Sequence, residues 1–415
     1  MVTYGRYPLT VTSGAGCTLT DSTGKSYLDF VAGIATCALG HSNTALTAAV
    51  TKQMSSVHHT SNLYYHENQY KLAAWLCDNS AADKAFFCNS GAESVEAAIK
   101  LCRKHASKRG VTDPVIITAH ASFHGRTLAA VTATAQPKYH KGFTYGKKMV
   151  PGFAHCNYND VQSLKKAVKK YSRTPLLHKL AGRKRRVAGI ILEPLQGEGG
   201  IRPGCPGFFK KARDICDETG ALLVMDEVQA GMGRTGTLWG YEQVGVVPDA
   251  FCTAKALGGG IPIGAMCAAA SCAETFGPGD HASTYGGNPL ACAAGLEVAR
   301  QFEELDLVRN ARERGAQLAE GLRRIAREHP GMISEVRGRG LLLGAEISPD
   351  RDVMAAAVVA RCMEEGLLLV PAGAKVVRFV PPLIVTEEEV ERALVMFGRV
   401  VEEMSGKGEE EEGGE

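Results

Sequence analysis

The chain has 415 residues, 45% of them apolar and 22% charged, with a formal net charge of +3. That length exceeds one average domain and can bury a sizeable core, and the composition is that of a globular protein rather than a disordered or fibrous one. So small a net charge argues for neither nucleic-acid binding nor a general membrane-surface role, and no stretch approaches the roughly 18 uninterrupted apolar residues of a membrane span.

Residues 1–45 read as short strands separated by turns. Two turn clusters, Ser13-Gly14-Ala15-Gly16 and Asp21-Ser22-Thr23-Gly24, flank an expected hairpin. From 46 to about 300, helical periodicity alternates with short apolar runs at Ala85–Cys88, Val115–Thr118, Val187–Leu192 and Ala221–Met225. Continuous apolar strands between helices predict a parallel sheet covered on both faces, hence an α/β fold. A long helix is expected from Leu290 to about Glu304 and another from Val308 to His329. New strands at Ile333–Leu341 and Val376–Val380 then predict a smaller α+β domain over 301–404, which the N-terminal 1–45 joins. Residues 405–415 are glycine and glutamate but for one serine and one lysine, and predict a disordered acidic tail.

The thirteen cysteines are odd in number and include no C-x-x-C pair. Most lie in apolar runs, which suits buried free thiols in a reducing compartment. No signal peptide is visible, and a transit peptide is expected to have been removed upstream.

Chemistry-bearing residues fall at the ends of the apolar runs. Asp226 directly follows Ala221–Met225, at the carboxyl end of a buried strand, where open α/β sheets bind ligands. A carboxylate there either caps the next loop or pairs with a buried cation such as a protonated pyridine nitrogen. Lys255 follows Phe251–Ala254 and precedes Gly258-Gly259-Gly260. It is either a lysine snorkelling from a strand end or an amine made nucleophilic by burial, as a Schiff base requires.

Ser90, Gly91 and Ala92 open a helix expected to reach about Lys104, with Ser90 or Asn89 as cap and Glu93 completing a capping box. The free amides of such a helix start are either simply capped or hold a phosphate. Phe123 and Arg126, in the loop after the Val115 strand, offer a stacking ring and a carboxylate fork. His120 and His124 have metal-like spacing, but Gly125, the loop context and the lack of a third ligand nearby argue against a metal site, and none is expected. The segment His281–Pro289 carries hydroxyls and glycines suited to a second phosphate contact. Gly231-Met232-Gly233-Arg234-Thr235-Gly236 matches the G-x-G-x-x-G dinucleotide pattern but lies beyond Asp226 with no helix opening inside it, so that reading is rejected.

The order and wording of these segments resemble the class III aminotransferases over about residues 4–400. The resemblance rests on Asn89–Glu93, Phe123–Thr127, Glu193–Gly200, Asp226–Gly236, Lys255 with its glycines, and Ser283–Leu290. Within that family, Phe30–His41 and His58–Tyr65 resemble the cyanobacterial and plant branch acting on acetylornithine. The resemblance implies a homodimeric, pyridoxal-phosphate-dependent enzyme of fold type I, with a mostly parallel seven-stranded sheet in a large domain (46–300). It implies ping-pong transfer of the δ-amino group of N2-acetylornithine to 2-oxoglutarate, in a chloroplast stroma. Ornithine, succinylornithine and 4-aminobutyrate are rival donors; a mitochondrial matrix or bacterial cytoplasm is the rival compartment.

The roles it implies are these. Lys255 carries the cofactor and shuttles the proton. Asp226 pairs with the pyridine nitrogen, and Gln229 lies near the 3-hydroxyl. Val228 and Phe123 bound the ring, Phe123 by stacking. Ser90, Gly91 and Ala92 hold the phosphate, with Thr284 reaching it from the partner subunit. Arg126 and Ser283 contact substrate, and Glu198 masks Arg378, the receptor for an α-carboxylate. One departure from the family is Ser94-Val95 after Glu93, where Ala-Asn is usual, which removes a polar side chain from the first helical turn.

Overall fold

The computed structural model describes residues 1–146 and 149–406. Its centre is a seven-stranded sheet. In spatial order the strands are Lys84–Cys88, Gly264–Ala268, Ala250–Thr253, Leu222–Asp226, Arg185–Leu192, Asp113–Ala119 and Phe153–Cys156. Only Gly264–Ala268 runs against its neighbours; the other strands share one direction. The fold is therefore α/β with a mostly parallel seven-stranded sheet, as the apolar runs and the family resemblance lead one to expect. Leu222–Asp226 is buried along its whole length because helices cover both faces of the sheet. Helix Gly91–Lys108 packs across one face through Val95, Ile99 and Cys102, and helix Pro206–Thr219 covers the other through Phe208, Phe209 and Ile215.

Helix boundaries follow local chemistry. Asn288 caps Pro289–Glu304 by accepting from Ala291 N at 2.8 Å, with Pro289 at the first helical position, where its missing N–H costs nothing. Gly220, at φ 68°, ends Pro206–Thr219 in the left-handed conformation. Helix Gly91–Lys108 runs one turn past the expected end.

Two further four-stranded sheets flank the large one. Ile333–Arg339, Leu342–Ile347, Val376–Phe379 and Val370–Pro371 form one. Val11–Ala15, Thr18–Asp21 and Ser26–Asp29 form the other with Leu367–Leu368, which pairs in parallel with Leu28 and Asp29. Both chain ends therefore build the same part of the molecule.

Two local expectations need correction. Ser13-Gly14-Ala15 is strand, not turn: a Cβ on Gly14 would lie 2.7 Å from Leu19 Cδ2 and 2.9 Å from His41 Cβ, so this glycine permits a close approach. The second cluster is the turn, closed by Asp21 Oδ1 accepting from Thr23 N and Lys25 N. At the other end, Ser405 and Gly406 belong to the last turn of helix Glu387–Gly406, where Ser405 Oγ donates to Val401 O; they are not part of an unstructured tail. The remainder of the expected tail, 407–415, lies outside the described residues.

Candidate active site

Three strands deliver functional side chains at their carboxyl ends, and these converge on a cavity of about 420 Å³. Leu222–Asp226 ends in Asp226. Its Oδ2 lies 2.7 Å from His124 Nδ1, and its Oδ1 accepts from Val228 N at 3.1 Å. Both side chains of the Asp226–His124 pair are buried. Burial alone would lower the His124 pKa, but the Asp226 carboxylate, with Glu193 beside it, raises it above the ordinary histidine value.

Lys255 follows strand Ala250–Thr253, at φ 48°, a conformation rare for a residue with a side chain. It lines the cavity and, among the described residues, its amine has no hydrogen-bond or ion-pair partner. Burial, reinforced by the Arg378 cation, brings its pKa down to about 8. The result is an amine that loses its proton far more readily than an ordinary lysine and lines a cleft.

Helix Gly91–Lys108 starts at the cavity wall. Ser90 caps it by accepting from Glu93 N at 3.2 Å, while the Glu93 carboxylate accepts from Asn89 N; the capping box therefore closes one residue earlier than expected. Gly91 is required there, since a Cβ would stand 2.6 Å from Val228 Cγ1. Phe123, Val228, Gln229, Ser90, Gly91, Ala92 and Arg126 line the same cavity, so the structure brings these expected residues together with Lys255 and Asp226. Arg126 is exposed at its edge, with its guanidinium 4.0 Å from the centre of the Tyr139 ring and no acidic partner among the described residues. Val95 is buried and makes no polar contact.

Glu198 and Arg378 meet across 180 positions, with Nη1 2.7 Å from Oε1. Arg378 also donates to Gln229 Oε1 at 2.9 Å, which joins the pair to the cavity lining. Ser283 and Thr284 are not brought into the cavity of their own chain. Ser283 Oγ accepts from Asn89 Nδ2 and Gly286 N, and Thr284 is exposed.

Sequence reasoning missed two residues. His124 was weighed only as a metal ligand, and nothing in its local spacing announces a partner 102 positions away. Glu193 had a readable signal, an acid at the carboxyl end of an apolar strand, the same as that of Asp226. It accepts from Phe123 N at 3.1 Å and Gly197 N at 3.3 Å, and burial pushes its pKa up to about 8.

A buried carboxylate with an imidazole partner, an unpartnered amine and a helix start thus face one cleft. The chain belongs to the class III aminotransferases, whose family model matches residues 2–401. It is similar to an acetylornithine aminotransferase from Thermosynechococcus vestitus, at 55% identity over 97% of this chain and 94% of the relative. Among solved structures it resembles the N-acetylornithine aminotransferase of Stenotrophomonas maltophilia: 39% identity, TM-score 0.81, covering 97% of this chain and 98% of that one. It also resembles the ornithine aminotransferase of Toxoplasma gondii in a structure with partial occupancy of PLP at the active site. That match has 31% identity and TM-score 0.89, covering 98% of this chain and 93% of that one.

Proposed function

We propose that the protein transfers the δ-amino group of N2-acetylornithine to 2-oxoglutarate, giving N-acetylglutamate 5-semialdehyde and glutamate, with pyridoxal phosphate as cofactor. The observation that carries this is Lys255: an unpartnered amine with a depressed pKa, in a cavity that also holds the His124-anchored Asp226. The cavity fits the cofactor's chemistry. Ser90, Gly91 and Ala92 offer helix-start amides to a phosphate, Asp226 an anion to a pyridinium, Gln229 an amide to the 3-hydroxyl, and Phe123 and Val228 apolar faces to a ring. Bound there, the cofactor supplies an electrophilic aldehyde and an electron sink.

Each protein group then has a task. Lys255 would hold the cofactor through its aldehyde carbon, and its amine, when free, would serve as base and acid toward the proton on the substrate carbon. Asp226 would favour the protonated ring nitrogen, with His124 holding Asp226 in place. Arg126 would take a substrate carboxylate as a bidentate fork, and Ser283, which lies outside the cavity of its own chain, would make a further polar contact to acetylornithine across the dimer, as proposed below for Thr284. Glu198 masks Arg378 while acetylornithine is bound. When 2-oxoglutarate enters, Glu198 releases the guanidinium to its α-carboxylate.

The working unit is proposed to be a homodimer in which Thr284 of the partner subunit reaches the phosphate. Its exposure in the single chain is compatible with that. We divide the chain into a large domain (46–300) and a small domain formed by 1–45 with 301–404, and assign the protein to a chloroplast stroma. Similarity to cyanobacterial relatives supports the branch. Among the described residues no helix is long and apolar enough to cross a membrane.

The deciding experiment is a panel of amino donors with 2-oxoglutarate as acceptor. Acetylornithine should give the highest kcat/KM; equal or better turnover of free ornithine overturns the donor assignment.

A further inference from the structure

The near-neutral net charge conceals a strongly segregated one. Residues 161–186 hold ten lysines and arginines and no acid, so the rest of the chain is net acidic. Helix Val161–Tyr171 buries Leu164 and Ala167 and turns Lys165, Lys166, Lys169 and Lys170 to solvent. It is followed by a short helix, Leu176–Leu180, whose Leu176, Leu177 and Leu180 are 71%, 78% and 77% exposed. Three leucines at i, i+1 and i+4 share one face of that turn, and here that face points outward.

The orientation is built in. Beneath the short helix, Asp113 at the start of its strand takes His178 Nδ1 at 2.9 Å, Arg183 Nη2 at 3.1 Å and Arg185 Nε at 2.7 Å. This anchor holds the polar side of the turn against the amino end of strand Asp113–Ala119 and leaves the leucines facing water. Arg186 Nη1 donates to Ser172 O, which ties the end of the segment back to the end of the lysine helix. The four lysines of that helix, with Arg173 and Lys179, form no ion pair among the described residues.

We propose that this segment docks the protein peripherally on an anionic lipid bilayer, with the three leucines entering the acyl boundary and the exposed lysines of the segment lying at the headgroups. Exposed leucines in a segment rich in unpaired cations fit an interface that is apolar below and anionic above. A nucleic-acid surface would leave the leucines without an apolar partner. An acidic protein surface would match the cations, and an acidic polypeptide is therefore the competitor in the test below. A membrane, uniformly negative and without register, needs only what the segment has.

The test is co-sedimentation of the full-length holoenzyme with vesicles of phosphatidylglycerol and phosphatidylcholine, against phosphatidylcholine alone. Binding should require the anionic lipid and weaken as salt is raised. Replacing Leu176, Leu177 and Leu180 with Ser should reduce binding by about tenfold or more, and Lys165→Glu with Lys166→Glu, Lys169→Glu and Lys170→Glu should abolish it. Aminotransferase activity and melting temperature should stay at wild-type values. If the triple variant does not fold, Leu177→Ser alone provides the same comparison. No binding to anionic vesicles, equal binding to neutral ones, binding indifferent to the leucines, or stronger capture by RNA or an acidic polypeptide would each overturn the proposal.

Discussion

His124 Nδ1 stands 2.7 Å from Asp226 Oδ2, and both side chains are buried at the carboxyl end of the central strand. Asp226 thus has a side-chain partner and a fixed orientation before any ligand arrives. A second bond, from Val228 N to Oδ1, holds the other oxygen.

This pair makes stability depend on pH in a defined direction. The folded-state pKa of His124 is raised, because the hydrogen bond and charge of Asp226 outweigh the opposing effect of burial. Its contribution is therefore complete below the ordinary histidine pKa of about 6.5 and is lost as pH rises through the raised value. Denaturant unfolding of apoenzyme should show the wild type's advantage over His124→Phe shrinking as pH increases through that window. A pH-independent difference rules the linkage out.

Asp226→Asn keeps the shape and removes the charge. If the carboxylate anchors a pyridinium, kcat should drop by on the order of 100-fold or more, with a much smaller change in KM. Steady-state kinetics on folded, cofactor-saturated variant decide it.

Lys255 should be the site of covalent cofactor attachment. Borohydride reduction followed by peptide mapping should place the label on Lys255, and Lys255→Ala should lose both label and turnover. Because burial and Arg378 lower its pKa to about 8, the rate of cofactor uptake by apoenzyme should rise with pH and level off above about that value. A rate that is flat from neutrality upward contradicts an amine titrating there.

Removing the mask is predicted to change substrate preference. In Glu198→Ala, Arg378 keeps, among the described residues, Gln229 and the Pro371 carbonyl as partners. The ratio of kcat/KM for glutamate to that for acetylornithine should move toward glutamate by about tenfold, equivalent to roughly 1.4 kcal/mol. Half-reaction kinetics by stopped flow give the ratio directly.

Gly91→Ala places a methyl group 2.6 Å from Val228 Cγ1. Overpacking of this kind costs about 1–3 kcal/mol and should push Val228 toward the cavity, lowering both melting temperature and cofactor affinity. Gly207, in helix Pro206–Thr219 with nothing within 4 Å of an added Cβ, is the control: Gly207→Ala should leave cofactor affinity unchanged and should not lower the melting temperature.

Much of the site was legible in sequence because the signals are local. Asp226 and Lys255 stand where apolar strands run out, and Ser90 announces a helix start three residues before the residue it caps. Glu193 carried the same strand-end signal and was passed over. Gly14 sat in an apparent turn cluster, yet its glycine answers a side chain across the hairpin and another on a distant loop. In the G-x-G-x-x-G stretch, Arg234 is buried and donates to the carbonyls of Leu341 and Pro381, partners more than a hundred positions away.

By itself the sequence determined the strand and helix segments, the α/β class and the two residues at the ends of their strands. Hydrophobic periodicity, capping and turn chemistry act within a few residues of their source. Only the tertiary structure decided that His124 would meet Asp226 and Glu198 would meet Arg378. It also decided that three leucines in a basic segment would face outward, through an aspartate about sixty positions earlier. Those pairings depend on strand order and crossover geometry, which bring together groups that exert no force on each other along the extended chain.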